Sequence, residues 1–224
     1  IALQNQSKHA YDVILYIEND AGSDDTAESL LASLGIEKTN AELDRWIISE
    51  IINTLKVLAN ENVQLNIPLT ASAIMDDTFC SWLTECINNS NINNASLSFS
   101  IAAADATDYE NNSLSLIKQL KDAGHQVCIT GASADYIDLI QKLVPDTLKL
   151  AALLTEKMTG EEAEPELIKN MIAFAKENNT SCIADGVNSA GDLAQLWQTG
   201  IDYVQGNYLQ APQENMDYDF SDIG

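Results

Sequence analysis

Arginine is almost missing from this chain. Arg45 is the only one in 224 residues, and Lys+Arg total 11 against 34 Asp+Glu, a formal net charge of −23. That scarcity of cations argues against nucleic-acid binding, because phosphate contacts are made mainly by Lys and Arg. An anionic membrane surface is disfavoured for the same reason. Histidine is nearly absent too (His9 and His125), and the four cysteines, Cys80, Cys86, Cys128 and Cys182, form no CxxC pair. The close spacing of about four Cys, His or carboxylate ligands that a zinc site needs is therefore lacking. No apolar run approaches the ~20 residues of a membrane span, and no signal peptide opens the chain, so a cytoplasmic protein is expected. Ile1 has no Met before it, and the sequence reads as a fragment of a longer chain. What is present is a 46% apolar fraction, enough for a buried core and too much for wholesale disorder.

Strand and helix signals alternate along nearly the whole chain. Strands are expected at 11–17, 63–69, 97–101, 126–130, 146–150, 181–184 and 203–206. Helices are expected at 24–34, 41–58, 76–87, 114–123, 136–143, 165–176 and 190–197, several stopped by Gly or Pro. Cys128 and Cys182 fall in apolar strands and read as reduced core thiols. Cys80 and Cys86, six apart, fall on different faces of one helix. Trp46, Trp82 and Trp197 are expected to pack between helices and sheet, 88–94 (NNSNINN) to be a polar loop, and 105–112 (DATDYENN) a loop and helix cap. The acidic run 161–166 (EEAEPE) suits the positive end of the helix it precedes.

Short apolar strands between helices of 8 to 18 residues mark βα repeats around a buried sheet. Seven or eight strands in this length fit an α/β fold of the (β/α)8 TIM-barrel type, with a doubly wound open sheet as competitor. Neither GxGxxG nor GxxxxGK[ST] occurs where a nucleotide fold would carry it. In a barrel, chemistry sits at the C-terminal strand ends. Those ends carry Tyr16, Pro68, Ser100, Thr130, Lys149, Asp185 and Gln205, a set poor in carboxylates and without His.

Five segments, in order, resemble the EAL domain of cyclic di-GMP phosphodiesterases: YDVIL (11–15), LDRWII (43–48), LVPDTLKL (143–150), ADGV (184–187) and YVQGNYLQAP (203–212). The flavour is that of FimX-type EAL domains, regulators of twitching motility, to whose tail MDYDF (216–220) is also similar. The resemblance implies an EAL-type barrel with its first strand antiparallel, filling 1–224 as a single domain. It also implies a place in the C-terminal part of a larger GGDEF/EAL-type signalling protein.

An active EAL domain resembles a two-metal phosphodiesterase, and the resemblance places its ligands at poor positions here. The Glu of EAL falls at Asp12 and its second-site Asn at Pro68. Two acids of the third motif fall at Ser100 and Ala103, and the Asp-Asp pair at Thr130 and Gly131, in a loop about two residues short. The Asp after LKI falls at Ala151, the Glu of AEGV at Asp185, and the acid three later at Asn188. Lys149 and Gln205 are kept, and the phosphate-binding Arg after the first motif is Tyr16. These positions imply no catalysis, no metal and no cofactor. They leave a vestigial ligand pocket of Asp12, Tyr16, Asp44, Lys149, Asp185 and Gln205, in which Lys149 is expected to pair with Asp12 or Asp185. The expected role is regulation through a protein partner, with cyclic di-GMP bound weakly or not at all. A non-hydrolysing cyclic di-GMP receptor is the alternative.

Overall fold

The computed structural model describes residues 2, 9–18, 24–26, 41–58, 63–90, 92–158, 164–214 and 216. Seven parallel strands form one sheet: β1 (His9–Asp12), β4 (Val63–Leu69), β5 (Leu97–Ala102), β6 (Gln126–Ala132), β7 (Thr147–Leu150), β8 (Ser181–Ala184) and β9 (Tyr203–Val204), in that spatial order. Two further strands, β2 (Tyr16–Glu18) and β3 (Asp24–Thr26), pair antiparallel as a separate ribbon. The helices are α1 (Ala41–Leu58), α2 (Ala71–Met75), α3 (Phe79–Asn88), α4 (Ala103–Asp108), α5 (Glu110–Asp122), α6 (Ile137–Leu143), α7 (Ala152–Glu156), α8 (Pro165–Glu177) and α9 (Ala190–Thr199).

The sheet must curl. Lys149 on β7 forms an ion pair with Asp12 on β1, although three strands lie between them in the sheet order. Laid flat, four strand spacings of about 4.8 Å amount to roughly 19 Å, far beyond a lysine's reach. Curling brings the strand ends to one mouth, as the barrel reading expects.

Period-two alternation sorts the side chains. Leu65, Ile67, Phe99, Ile101, Val127, Ile129 and Leu148 are almost wholly buried. They share one continuous core with Ile48 of α1, Leu83 of α3, Leu120 of α5, Ile168 of α8 and Leu196 of α9. The alternate positions of the same strands carry Asn66, Ser98, Ser100, Cys128 and Lys149. Barrels of this kind usually fill that face with bulky branched side chains; here it is polar. The helices end where the chain dictates. After α5, Gly124 adopts φ +87°, its N–H donating to Lys121 O and that of His125 to Leu120 O, a closure that favours glycine.

Several expectations are corrected. Among the described residues, β1 runs parallel to β4, in register His9↔Val63 to Asp12↔Asn66, and an antiparallel bridge joins Ala2 to Tyr203. Residues 11–17 are not one strand, because 13–15 interrupt it. Of the helix expected at 24–34, residues 24–26 are strand β3, and 27–34 lie outside the described residues, as do 161–163 and 217–220. Helix 76–87 begins only at Phe79, since Asp76 Oδ1 accepts from both Thr78 N (2.9 Å) and Thr78 Oγ1 (2.6 Å), a local turn that competes with helix. Residues 105–112 are helical rather than loop, split between α4 and α5 at Tyr109. Trp46 and Trp197 are each 55% exposed and do not fill the interface expected of them.

Beyond β9 the chain passes very close to the turn after β8. A Cβ on Gly206 would lie 2.2 Å from Val187 O and 2.3 Å from Val187 N. Both atoms are already committed, to Tyr208 N and Gln205 O. Gly206→Ala is expected to destabilise the domain by about 3 kcal/mol, the upper range for overpacking, as read by urea denaturation followed by circular dichroism. A change within error would show that this corner can relax.

Candidate functional site

Asp12 ends β1, and its register partner on β4 is Asn66. Asn66 Nδ2 donates to Asp12 Oδ1 at 2.7 Å. The other carboxylate oxygen, Oδ2, receives the Lys149 ammonium. The Gln205 side chain, just past β9, donates a further hydrogen bond to the same carboxylate. Three strands and the segment after β9 therefore converge on one acid. The Asp12 and Lys149 side chains are only 18% and 11% exposed.

Burial alone would raise the Asp12 pKa, but the Lys149 charge and the donors Lys149, Asn66 and Gln205 outweigh it and hold the carboxyl below its ordinary value. Burial would likewise lower Lys149, and Asp12, with smaller help from Cys128 and Asp185, carries it above its ordinary value. Both shifts favour the charged forms. The depressed acid contributes stability above pH 3.8 that is lost as pH falls through its folded pKa. The raised base contributes stability below pH 10.5 that is lost as pH rises through its own.

The remaining expected residues divide. Asp185 acts on Lys149 through its charge, while its Oδ1 accepts from Gly186 N at 2.8 Å. Asp44 is buried on α1 and engaged elsewhere, accepting from Thr70 Oγ1 (2.6 Å) and Thr70 N (3.4 Å). Burial pushes its carboxyl upward against those bonds. Thr70 in turn caps α2 by accepting from Ser72 N, so Asp44 fixes the β4–α2 junction. Tyr16 lies on the β2–β3 ribbon, 42% exposed. Cys128, behind Lys149, has its thiol pushed up to about 12 by burial and is no nucleophile.

The sequence reading missed Asn66. The resemblance carried an amide ligand to position 68, yet Pro68 is exposed and has no side-chain oxygen; the amide beside Asp12 stands one strand repeat earlier on the same face. Stepping back two residues from Pro68 keeps the strand face and reaches Asn66.

A two-metal centre asks for many oxygen ligands, most of them charged. Among the described residues, no group of three or more His, Cys, Asp or Glu side chains could hold a metal ion. Asp12 is already neutralised by Lys149, and Ser100, Thr130, Gly131 and Ala151 bring no carboxylate. The donor set does not fit such a centre.

The sequence model of the EAL domain matches residues 2–212. Among curated proteins, the chain is 24% identical over 174 residues to the cyclic di-GMP phosphodiesterase PdeR of Escherichia coli (strain K12), covering 76% of this chain and 26% of that protein. It is 19% identical over 224 residues to an uncharacterised 76.5 kDa protein of Thiocystis violacea, covering 98% and 32%. The chain thus spans about a third or less of the curated relatives it matches. Among solved structures, the FimX EAL domain of Pseudomonas aeruginosa bound to cyclic di-GMP is 30% identical at a TM-score of 0.87, covering 99% of this chain and 90% of that one. The FimX EAL domain of Xanthomonas citri, also with cyclic di-GMP, shares the fold at a TM-score of 0.83 and 18% identity, covering 94% and 85%.

Removing one member of a buried pair strands the other. Lys149→Met is expected to cost about 3 kcal/mol at pH 7, and Asp12→Asn in that background to recover part of it. Urea denaturation of the wild type, both single variants and the double variant reads the cycle. A neutral Lys149→Met would show the pair to be solvated and uncoupled.

Proposed function

Since the chain belongs to the EAL domain family, we propose that it is a catalytically inactive EAL domain that serves cyclic di-GMP signalling as a regulatory protein-interaction module. One observation carries the reading: the carboxylate at the first motif, Asp12, is consumed by Lys149, Asn66 and Gln205. An acid held this way has no free oxygen pair to offer a divalent cation, and Ser100, Thr130 and Ala151 bring hydroxyls and a methyl group where the resemblance expects carboxylates.

The surface supports the partner role. Trp46, Leu153, Trp197 and Tyr208 are each at least half exposed, and large aromatics are the side chains that protein interfaces favour. The chain's place within a longer GGDEF/EAL-type protein, its cytoplasmic location and a part in type IV pilus or twitching control belong to the same proposal. Its supports are the greater length of the curated relatives and the likeness to FimX. No described helix is long and apolar enough to cross a membrane.

The second reading, a receptor that binds cyclic di-GMP without hydrolysing it, is favoured by one finding. A domain 30% identical to this one carries that ligand in its crystal structure. Against it stands Tyr16 where the resemblance expects an arginine. Losing a charge-assisted phosphate bond costs about 1.5–3 kcal/mol, a factor of roughly ten to a hundred.

Two assays separate the readings. With Mg²⁺ or Mn²⁺, the purified domain is expected to release no pGpG from cyclic di-GMP above a protein-free blank. EDTA-sensitive release would overturn the inactive reading. Isothermal titration is expected to show no saturable binding tighter than about 10 μM, roughly −7 kcal/mol. A submicromolar curve at physiological salt would establish the receptor instead.

A further inference from the structure

We propose that the edge of the sheet around Leu153, Tyr208 and Ile14 is a docking surface for a basic, apolar polypeptide segment, one in which Lys or Arg stand beside large apolar side chains. The inference rests on the protein-interaction reading and deepens it, because it names the face and the chemistry of the partner.

Exposed large apolar side chains gather where the strands end. Ile14 lies just beyond β1, Leu153 just beyond β7 and Tyr208 just beyond β9, and they are 43%, 58% and 50% exposed. In a parallel sheet these segments leave from one edge. Direct contacts link them around it. Ala152, next to Leu153, packs against the turn after β8, where a Cβ on Gly186 would lie 3.0 Å from the Ala152 Cβ. Val187 O in the same turn accepts from Tyr208 N at 3.1 Å. Gln205, shortly before Tyr208, donates to Asp12, shortly before Ile14. Leu153, Tyr208 and Ile14 therefore follow one another along an arc over the ends of β7, β8, β9 and β1. Tyr16 on β2, also exposed, continues it. Contiguous apolar surface of this kind marks an interaction site, and aromatic side chains are enriched at such sites.

Charge selects the occupant. Asp185 stands in the turn between Leu153 and Tyr208, and Glu156 is exposed one helical turn after Leu153 on α7. Asp108 is exposed at the end of α4, which follows β5 across the mouth. Glu156 and Asp108 end their helices, where the backbone dipole favours a cation, so helix stability does not account for them. Lysines that could answer them lie elsewhere. Lys56, Lys121, Lys142 and Lys176 fall in the last turns of α1, α5, α6 and α8, at the opposite edge, where each helix returns to begin the next strand. Near the mouth, Lys149 is engaged by Asp12 and Lys157 by Glu164. The arc is thus apolar and negative. An anionic ligand or lipid headgroup meets like charge there, and a second copy would bring the same acids face to face, an arrangement that suppresses association. A segment carrying Lys or Arg beside apolar side chains matches both properties, in the way amphipathic segments lay an apolar stripe on a groove.

The test uses the 224-residue chain and fluorescein-labelled model peptides: Leu and Lys in helical order, Leu and Lys in alternating order, and Leu and Glu in helical order. Fluorescence anisotropy is expected to show saturable binding of a Leu–Lys peptide with a Kd below about 100 μM, and none of the Leu–Glu peptide. Leu153→Ser with Tyr208→Ser is expected to weaken binding about tenfold. Glu156→Gln with Asp108→Asn is expected to weaken it about threefold, a loss that shrinks at high salt. Two control pairs change exposed residues at other places, Val57→Ser with Val144→Ser and Glu50→Gln with Glu177→Gln. Both are expected to bind within about twofold of the wild type, as substitutions outside an interface do. Circular dichroism checks each variant; if the serine pair unfolds, Leu153→Lys reads the same question, since an added cation repels the basic peptide. Equal losses in the control pairs overturn the proposal, because they show binding to negative charge anywhere on the chain. Equal binding of the Leu–Glu peptide, or no saturable binding of either Leu–Lys peptide, also overturns it. A wild-type dimer in sedimentation velocity that the serine pair dissolves would assign the arc to a second copy and overturn it too. Those outcomes are distinct from failure of the inactive reading, which shows as pGpG released by the wild type.

Discussion

A lysine placed at the end of a central strand, pointing into a curled sheet, must find a counter-charge or give up its proton. In this domain the counter-charge is Asp12, four strands away in the sheet order. The pair is possible only because the sheet curls. Once formed, it ties the first strand of the sheet to the fifth, while Gln205 brings the segment after β9 to the same carboxylate. Fold and site are therefore one problem: the curl that buries the apolar outer faces of the strands also delivers the polar inner faces to a common centre.

That centre differs in kind from the rest of the interior. The outer faces of β4, β5 and β6 are lined by Leu, Ile, Val and Phe, and hydrophobic burial is tolerant of detail there. The inner face carries Asn66, Ser98, Ser100, Cys128 and Lys149, where each polar atom needs a specific partner. A sheet barrel lined this way holds less packing energy on its axis than one filled with branched side chains, and it depends more heavily on the helices outside.

The architecture was legible in the sequence because its signals are local. Strands such as 181–184 and helices such as 41–58 appear at the expected residues, since apolar periodicity and the stops at Gly and Pro are written in neighbouring positions. What failed depended on distant partners or on competing short-range bonds. The direction of β1 is set by its pairing with β4, over fifty residues away. The late start of α3 follows from the Asp76–Thr78 turn, which a cap-then-helix reading passes over. At the site, Lys149 was expected to pair with Asp12 or Asp185, and it pairs with Asp12. Asn66 was not found, because a two-residue slip along a strand keeps the face and changes the residue. Asp44 and Tyr16 were grouped with the pocket by motif proximity; the Asp44 side chain is used by the β4–α2 junction, and the Tyr16 backbone pairs in the β2–β3 ribbon.

The three tryptophans are distributed in a way that governs what optical spectroscopy can see. Trp46 and Trp197 already face water, so their emission is close to that of the unfolded chain. Trp82 alone is held in a defined environment, its ring 5.9 Å from that of Phe79 and lying beneath the Arg45 guanidinium at 5.1 Å. The native fluorescence of this domain is thus a mixture dominated by two solvated chromophores. The part that changes on denaturation comes from the corner where α1 meets α3. Intrinsic emission consequently watches that corner and is blind to the barrel mouth, and a tryptophan placed near Leu153 or Tyr208 would give the mouth a reporter of its own.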